Sequence, residues 1–196
     1  MPTVENASRM TWLAGTAFLH SLVVHEKRGM MKIWSMALVV LAFSLSIFGT
    51  FLTRSGVISS VHAFATSNLA SWFLCFLAAA LLGSAALLVS RIAWLCPDAR
   101  VESLVSRESG FLFNNIALLA ITLSVLVLTT FPLLSQAVVG RKITLDPPVF
   151  GMINVPWALA LLAATGAGPL LAWRRTRGSA LRREFALPAA AGTAAF

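Results

Sequence analysis

Charge is the scarcest property of this chain. Only 11% of its 196 residues are Asp, Glu, Lys or Arg, and just seven are acidic. An ordinary soluble domain is about 25% charged and about 45–50% apolar. At 58% hydrophobic and a mean hydropathy of +0.85, this chain has too little charge to coat a water-facing surface. A cytosolic globular enzyme, a disordered tail and a small secreted scaffold are excluded together. Cysteine is scarce too: Cys75 and Cys96 lie in apolar stretches and make neither a disulfide framework nor a zinc pattern. No Gly-rich phosphate loop and no H-E-x-x-H is present. Cys-x-x-Cys-His is missing as well, so the chain is not a cytochrome with covalently held haem. No apolar run carries a charge at its centre, which argues against ion-coupled transport.

What the chain has is apolar length. A hydrocarbon core of about 30 Å is crossed by about 20 helical residues. The runs 33–53, 71–90, 111–134 and 153–173 meet that length. A further run near 7–24 is short, and reaches it only by taking in Asn6 and Ala7 behind a shield of protein. The expected fold class is all-α: a polytopic transmembrane helix bundle of about five spans, filling residues 1–185. Residues 186–196 read as the start of a truncated sixth span, and 54–70 as an external loop. No charged n-region precedes the first run and no A-x-A site follows it, so no signal peptide is expected.

A pI near 11.3 and a net charge of +8 invite a nucleic-acid reading, but the location of the charge decides. From the N-terminus, Lys and Arg number one, three, one, three, two and five per loop, which accounts for all 15. Cytoplasmic loops retain basic residues, so this alternation predicts an external N-terminus and an internal tail. Arg141 and Lys142 fit it least. The basicity reports topology, and no nucleic-acid partner is expected. All six tryptophans fall at or just beyond a span end, where an amphipathic ring sits at headgroup level.

Polar groups at membrane depth are costly unless paired. His20 lies on the first run, about 6–8 Å inside its inner boundary at 1.5 Å per residue. An interfacial anchor, a hydrogen-bond partner, a proton relay and an iron ligand all suit it. His62 sits in the external loop and reads either as a surface residue or as a ligand. Beside it, Arg54 is a cation suited to carboxylates, so the two fit a haem with iron on His62 and a propionate on Arg54. His25, in HEKRG, reads as a solvated headgroup contact. Adjacent Asn114 and Asn115 call for interhelical hydrogen bonds. Pro132 is expected to kink or end its helix. The segment KITLDPPVFGMINVP reads as an extended connector with a helix starting at Pro156. Gly166, Gly168 and Pro169 permit close approach or a bend.

The strings TAFLHSLVVHEKRG and FSLSIFGTFLTRSGVISSVHAFAT resemble the CcmF-type cytochrome c haem lyases, which belong to a larger group of haem-handling membrane proteins. TVENASRMTWL is similar to the end of that family's tryptophan-rich WWD motif, and SRESGFLFNN, FPLL, KITLDPPVF and GPLLAWRR are similar to its later landmarks, in order. The resemblance runs over most of residues 4–175. It implies a membrane protein that takes part in attaching haem to the Cys-x-x-Cys-His motifs of apocytochrome c on the external face of the inner (plasma) membrane. It implies that His62 is an external axial ligand to the haem being delivered. His20 becomes one ligand of a buried b-type haem (haem b) that donates electrons. A haem chaperone and other cytochrome c maturation membrane subunits are the implied partners. The family protein is longer: its partner ligand for His62 lies upstream of residue 1 and its partner for His20 beyond Phe196. The chain is therefore expected to be a fragment or one piece of a split protein. Two rival classes make different predictions. A transporter or channel subunit would bind no haem, and a scaffold would keep partner binding without either histidine.

Overall fold

The structure is a computed structural model that describes residues 3–54, 69–95, 102–174, 176 and 178–194. All of the regular structure among these residues is helical: α1 (Thr3–Arg28), α2 (Lys32–Arg54), α3 (Leu69–Ser90), α4 (Arg107–Val139), α5 (Pro147–Ala167) and α6 (Gly178–Ala194), with short 3₁₀ turns at Ile92–Leu95 and Gly168–Leu170. Four segments among the described residues are long and apolar enough to cross a membrane: α2, Ser71–Ser90 of α3, α4, and α5 with the turn that follows it. The fold is thus an all-α membrane helix bundle.

The helices pack as a row, α3–α2–α1–α4–α5, with α1 in the centre. The placement follows from the sequence of α1. Met10, Leu13, Ala14 and Ala17 recur at helical spacing and are buried between Leu38 and Leu45 of α2 and Leu118, Ile121 and Val125 of α4. Two alanines in that stripe let the neighbouring helices come close. Polar residues tie the row together. Asn6 Nδ2 donates to Thr129 Oγ1 at 3.1 Å, and the Ser21 and Ser35 hydroxyls lie 2.6 Å apart. Asn115 is satisfied at both ends when its Nδ2 donates to the Ala17 carbonyl at 2.9 Å and its Oδ1 accepts from Trp34 Nε1 at 3.3 Å. Toward the flanks, Phe43 meets Phe76 across α2 and α3 with ring centroids 6.4 Å apart. Ser124 Oγ donates to Asn154 Oδ1 at 2.5 Å across α4 and α5. By contrast, the spanning windows of α3 and α5 bury none of their residues inside the fold, leaving apolar faces suited to lipid or further protein.

Helix ends correct three expectations. Of the two outcomes expected at Pro132, a kink or an end, the end is overturned: α4 continues to Val139 and is closed by Gly140, whose φ of 70° is left-handed. α5 begins at Pro147, not Pro156: Asp146 is extended at the N-cap, and the two prolines occupy first-turn positions where their missing N–H groups cost nothing. The run 153–173 is not one helix, because α5 stops at Ala167 and the chain turns through Gly168–Leu170. Between α1 and α2, Gly29 (φ 65°) and Met31 (φ 63°) make the tight reversal that sets the two helices side by side.

Candidate functional site

The site is built where the C-terminal half of α1 meets the start of α4 and the end of α5. Ser106 is fully buried, adopts an extended backbone and caps α4, its hydroxyl accepting from Ser109 N at 3.2 Å. This cap fixes the first turn of α4, which carries Arg107 and Glu108. Arg107 reaches across to the turn after α5, donating from Nε to the Gly168 carbonyl at 3.3 Å and from Nη2 to the Pro169 carbonyl at 2.7 Å. Its guanidinium carbon also lies 5.5 Å from the centroid of the Trp173 ring. Trp173 stacks on Phe111, centroids 6.0 Å apart, and Phe111 meets the His20 ring at 5.5 Å with the planes tilted by 59°. His20, Phe111, Trp173 and Arg107 thus form a continuous chain of contacts.

Beside this chain opens a cavity of about 290 Å³, lined by His20, Arg107, Phe111, Asn114, Thr165 and Gly168 among others. The histidine is half-buried, yet its Nδ1 is sealed from solvent with no hydrogen-bond partner, and so is Oδ1 of Asn114. With Nδ1 enclosed, Nε2 is the ring nitrogen left to meet a ligand. Near the start of α4, Arg28 joins Glu102 and Glu108. Arg28 Nη2 donates to Glu102 Oε1 at 2.6 Å, and Arg28 Nε lies 2.6 Å from Glu108 Oε1 without an aligned hydrogen bond. The Glu102 hydrogen bond is the main cause that holds the Arg28 guanidinium above its ordinary pKa, with the charges of both carboxylates adding to it and burial opposing it.

The chemistry of this donor set fits a haem in part. An imidazole can ligate iron, Arg107 is a cation beside the same cavity for a propionate, and Phe111 offers an apolar ring face. Among the described residues no three His, Cys, Asp or Glu side chains come together to hold a bare metal ion. A lone imidazole suits a metal that brings most of its own ligands, as porphyrin iron does. The volume of about 290 Å³ falls just below the roughly 300–1,000 Å³ usual for ligand pockets.

The sequence-expected residues do not converge. His20 lines the cavity, whereas Arg54 closes α2 at the opposite end of α1 and is exposed. His62 and most of its loop lie outside the described residues. His25 is half-buried in the last turn of α1 and is not among the residues lining the cavity. Sequence reasoning missed Arg107 as a site residue and gave Asn114 only a structural role. A usable signal existed, because positions 107, 111 and 114 share one face of a helix.

No family model matches the chain. Curated relatives do. The chain is 44% identical over 187 residues to the cytochrome c-type biogenesis protein CycK of Rhizobium meliloti, covering 95% of this chain and 28% of that protein. It is 44% identical over 177 residues to the cytochrome c-type biogenesis protein CcmF of Pseudomonas aeruginosa, covering 88% and 26%. To CcmF of Escherichia coli K12 it is 40% identical over 183 residues, covering 91% and 28%. Among solved structures, cytochrome c haem lyase CcmF matches with a TM-score of 0.67 and 34% identity over 90% of this chain and 25% of that one. The chain spans about a quarter of the length of these relatives. Over that quarter, sequence and fold agree, and the chain belongs to the CcmF/CycK family of cytochrome c-type biogenesis proteins.

Proposed function

We propose that this chain contributes part of a membrane cytochrome c haem lyase: a wall of a buried b-type haem site at His20 and an external haem-delivery loop at His62. The observation that carries the reading is the placement of His20, an imidazole at the edge of a cavity it shares with Arg107, in a chain whose relatives are cytochrome c biogenesis proteins. In this reading His20 Nε2 would ligate the iron of the buried haem and Arg107 would face a propionate, while His62 and Arg54 would hold the haem being delivered in the corresponding way. A haem held at His20 would supply the reducing equivalents that keep the delivered iron ferrous.

The reaction itself asks little of side chains. Each client thiol adds S–H across a vinyl double bond of the delivered haem, forming a C–S bond with no leaving group and no net redox change. The protein contributes ligation, orientation and exclusion of water. Apocytochrome c with its Cys-x-x-Cys-His motif, a haem chaperone and other maturation subunits of the membrane are the partners of this reading. The chain is multi-pass in the inner (plasma) membrane with α1 as an additional span, and the loop 54–70 is external. The gathering of Arg28 and Arg174 around Glu102, with Glu108 beside Arg28, at one end of the bundle supports that orientation.

The test is a pyridine haemochrome assay with a reduced-minus-oxidised spectrum on protein purified from membranes. Wild type is compared with His20→Ala and His62→Ala. Loss of a b-type signal on changing His20, with His62→Ala keeping it but failing to mature cytochrome c, is the expected pattern. A b-type signal that survives His20→Ala overturns the ligand assignment.

A further inference from the structure

Two residues that line the cavity, His20 and Asn114, each hold a polar atom that the fold seals from solvent and leaves without a partner, Nδ1 and Oδ1. They stand on different helices, α1 and α4, joined through Phe111, one turn before Asn114, whose ring packs on His20. Adjacent Asn115 has a different fate, since both ends of its amide are paired within the α1–α2–α4 core. The two asparagines therefore have separate roles. One is a structural tie, and the other lines a cavity with its acceptor unused.

Complementarity decides what Asn114 does. A carboxamide oxygen can only accept, while an imidazole nitrogen donates or accepts according to tautomer. The other polar side chains on the cavity wall leave an N–H one alternative. Arg107 offers donors only, and the Thr165 hydroxyl, whose O–H is donated to the Leu161 carbonyl at 2.7 Å, is the one competing acceptor, standing on α5. We infer that Asn114 is a positioning residue for His20: the two sealed atoms are unpaired in this arrangement, and a rotation of the Asn114 amide that brings Oδ1 onto Nδ1–H gives each the partner it lacks. That pairing selects the tautomer in which Nε2 is unprotonated and free to ligate. Isolated histidine favours the opposite tautomer, with the proton on Nε2, so a ligating imidazole is normally held by a partner on its other nitrogen. The identity of the ligand, a haem iron, rests on the function proposed above; the tautomer does not.

The experiment uses the purified chain labelled with ¹⁵N-histidine. It has three histidines, so ring nitrogens are resolvable by NMR and His20→Gln identifies the His20 pair. The expected result is Nδ1–H on His20 in the wild type, a shift to Nε2–H in Asn114→Leu, and recovery of Nδ1–H in Asn114→Gln. An Nε2–H tautomer in the wild type, or a tautomer unchanged in Asn114→Leu, overturns the inference. Should Asn114→Leu fail to fold, Asn114→Ala gives the same reading with less bulk. In haem-loaded protein, Asn114→Leu should raise the haem midpoint potential at unchanged haem content, because a hydrogen-bonded imidazole is the stronger donor to iron. The failures separate cleanly. Haem that survives His20→Ala removes the haem reading and leaves the tautomer result standing. Haem that needs His20 but is indifferent to Asn114 in tautomer and potential removes this inference alone.

Discussion

Arg28, in the last turn of α1, lies 2.6 Å from Glu108, in the first turn of α4, and the Glu108 side chain is fully buried. Both charges sit at the helix ends that favour them, the cation at a C-terminus and the carboxylate at an N-terminus. Removing one partner of such a pair leaves the other buried and uncompensated, whereas replacing both with apolar residues is often neutral. Arg28→Ala should therefore destabilise the bundle more than Glu102→Ala, since Glu102 is half-exposed and can return to water. Arg28→Met combined with Glu108→Leu should recover most of the loss. Thermal unfolding in detergent reads all three. The pKa shift of Arg28 is upward, so its contribution is complete below the unfolded value and declines only as pH rises beyond it. Stability should show no loss from titration of Arg28 itself around neutral pH. Equal losses in Arg28→Ala and Glu102→Ala would contradict this account.

Gly49 of α2 faces Ala7 of α1 so closely that a Cβ added there would lie 2.9 Å from the Ala7 Cβ. Gly49→Ala should cost about 1–3 kcal/mol as overpacking, outweighing the gain of up to about 1 kcal/mol that Ala brings to a helix. Gly15, with nothing within 4 Å of an added Cβ, is the control, and Gly15→Ala should be neutral or stabilising. Equal behaviour of the two variants in denaturant unfolding would rule out the close approach.

Asn115 ties three helices through the Ala17 carbonyl and Trp34 Nε1. Asn115→Leu should cost about 0.6–2 kcal/mol, the range of interhelical hydrogen bonds in membrane proteins, and should shift the emission of Trp34 relative to an otherwise identical Trp34→Phe background. Unchanged emission would mean that the indole is not bonded to Asn115.

Apolar length made the helices legible. The runs 33–53 and 71–90 match α2 and α3 to within two residues at each end, because hydrophobic thickness sets both limits. Helix ends governed by local chemistry were harder to read. The α4 start lies in a Ser106–Ser109 cap ahead of the apolar run, and the α5 start lies in Pro147 and Pro148, which look like a connector although they fill the first-turn positions after an extended Asp146. The cavity was legible only in His20. Helical spacing puts Arg107 on one face with positions 111 and 114, but its bonds go to backbone carbonyls of a turn far along the chain, which that spacing does not reveal. The Arg28–Glu108 pair is long-range too, so Arg28 counted on its own only as loop charge.

Ser106 is the hinge between sequence and cavity. Its side chain caps α4 and its hydroxyl also donates to the Ser103 carbonyl at 2.7 Å. Ser106→Ala should cost about 0.5–2 kcal/mol, the usual loss for an N-cap serine, and should loosen Arg107 with the turn it grips. Ser106→Asp should restore the cap. Hydrogen exchange at the first turn of α4 measures this directly, and protection unchanged in Ser106→Ala would remove the cap from the account.

Arg107 offers the sharpest separation of charge from geometry. Its fork holds the Gly168 and Pro169 carbonyls and packs over Trp173, three contacts that the single ammonium of lysine cannot reproduce together. Hydrogen bonds from a charged donor contribute about 1.5–3 kcal/mol each, and 1.4 kcal/mol is a tenfold change in affinity. Arg107→Lys keeps the charge and loses the fork. If Arg107 serves only as a cation for a haem propionate, Arg107→Lys should retain haem and Arg107→Gln should lose it. If its main role is to hold the turn that walls the cavity, both variants should weaken haem retention by about tenfold or more, and both should expose Trp173 to a collisional quencher. The two carbonyl bonds favour the second outcome. Retention of haem in Arg107→Lys with Trp173 still shielded would reverse that conclusion and leave charge alone as the contribution of Arg107.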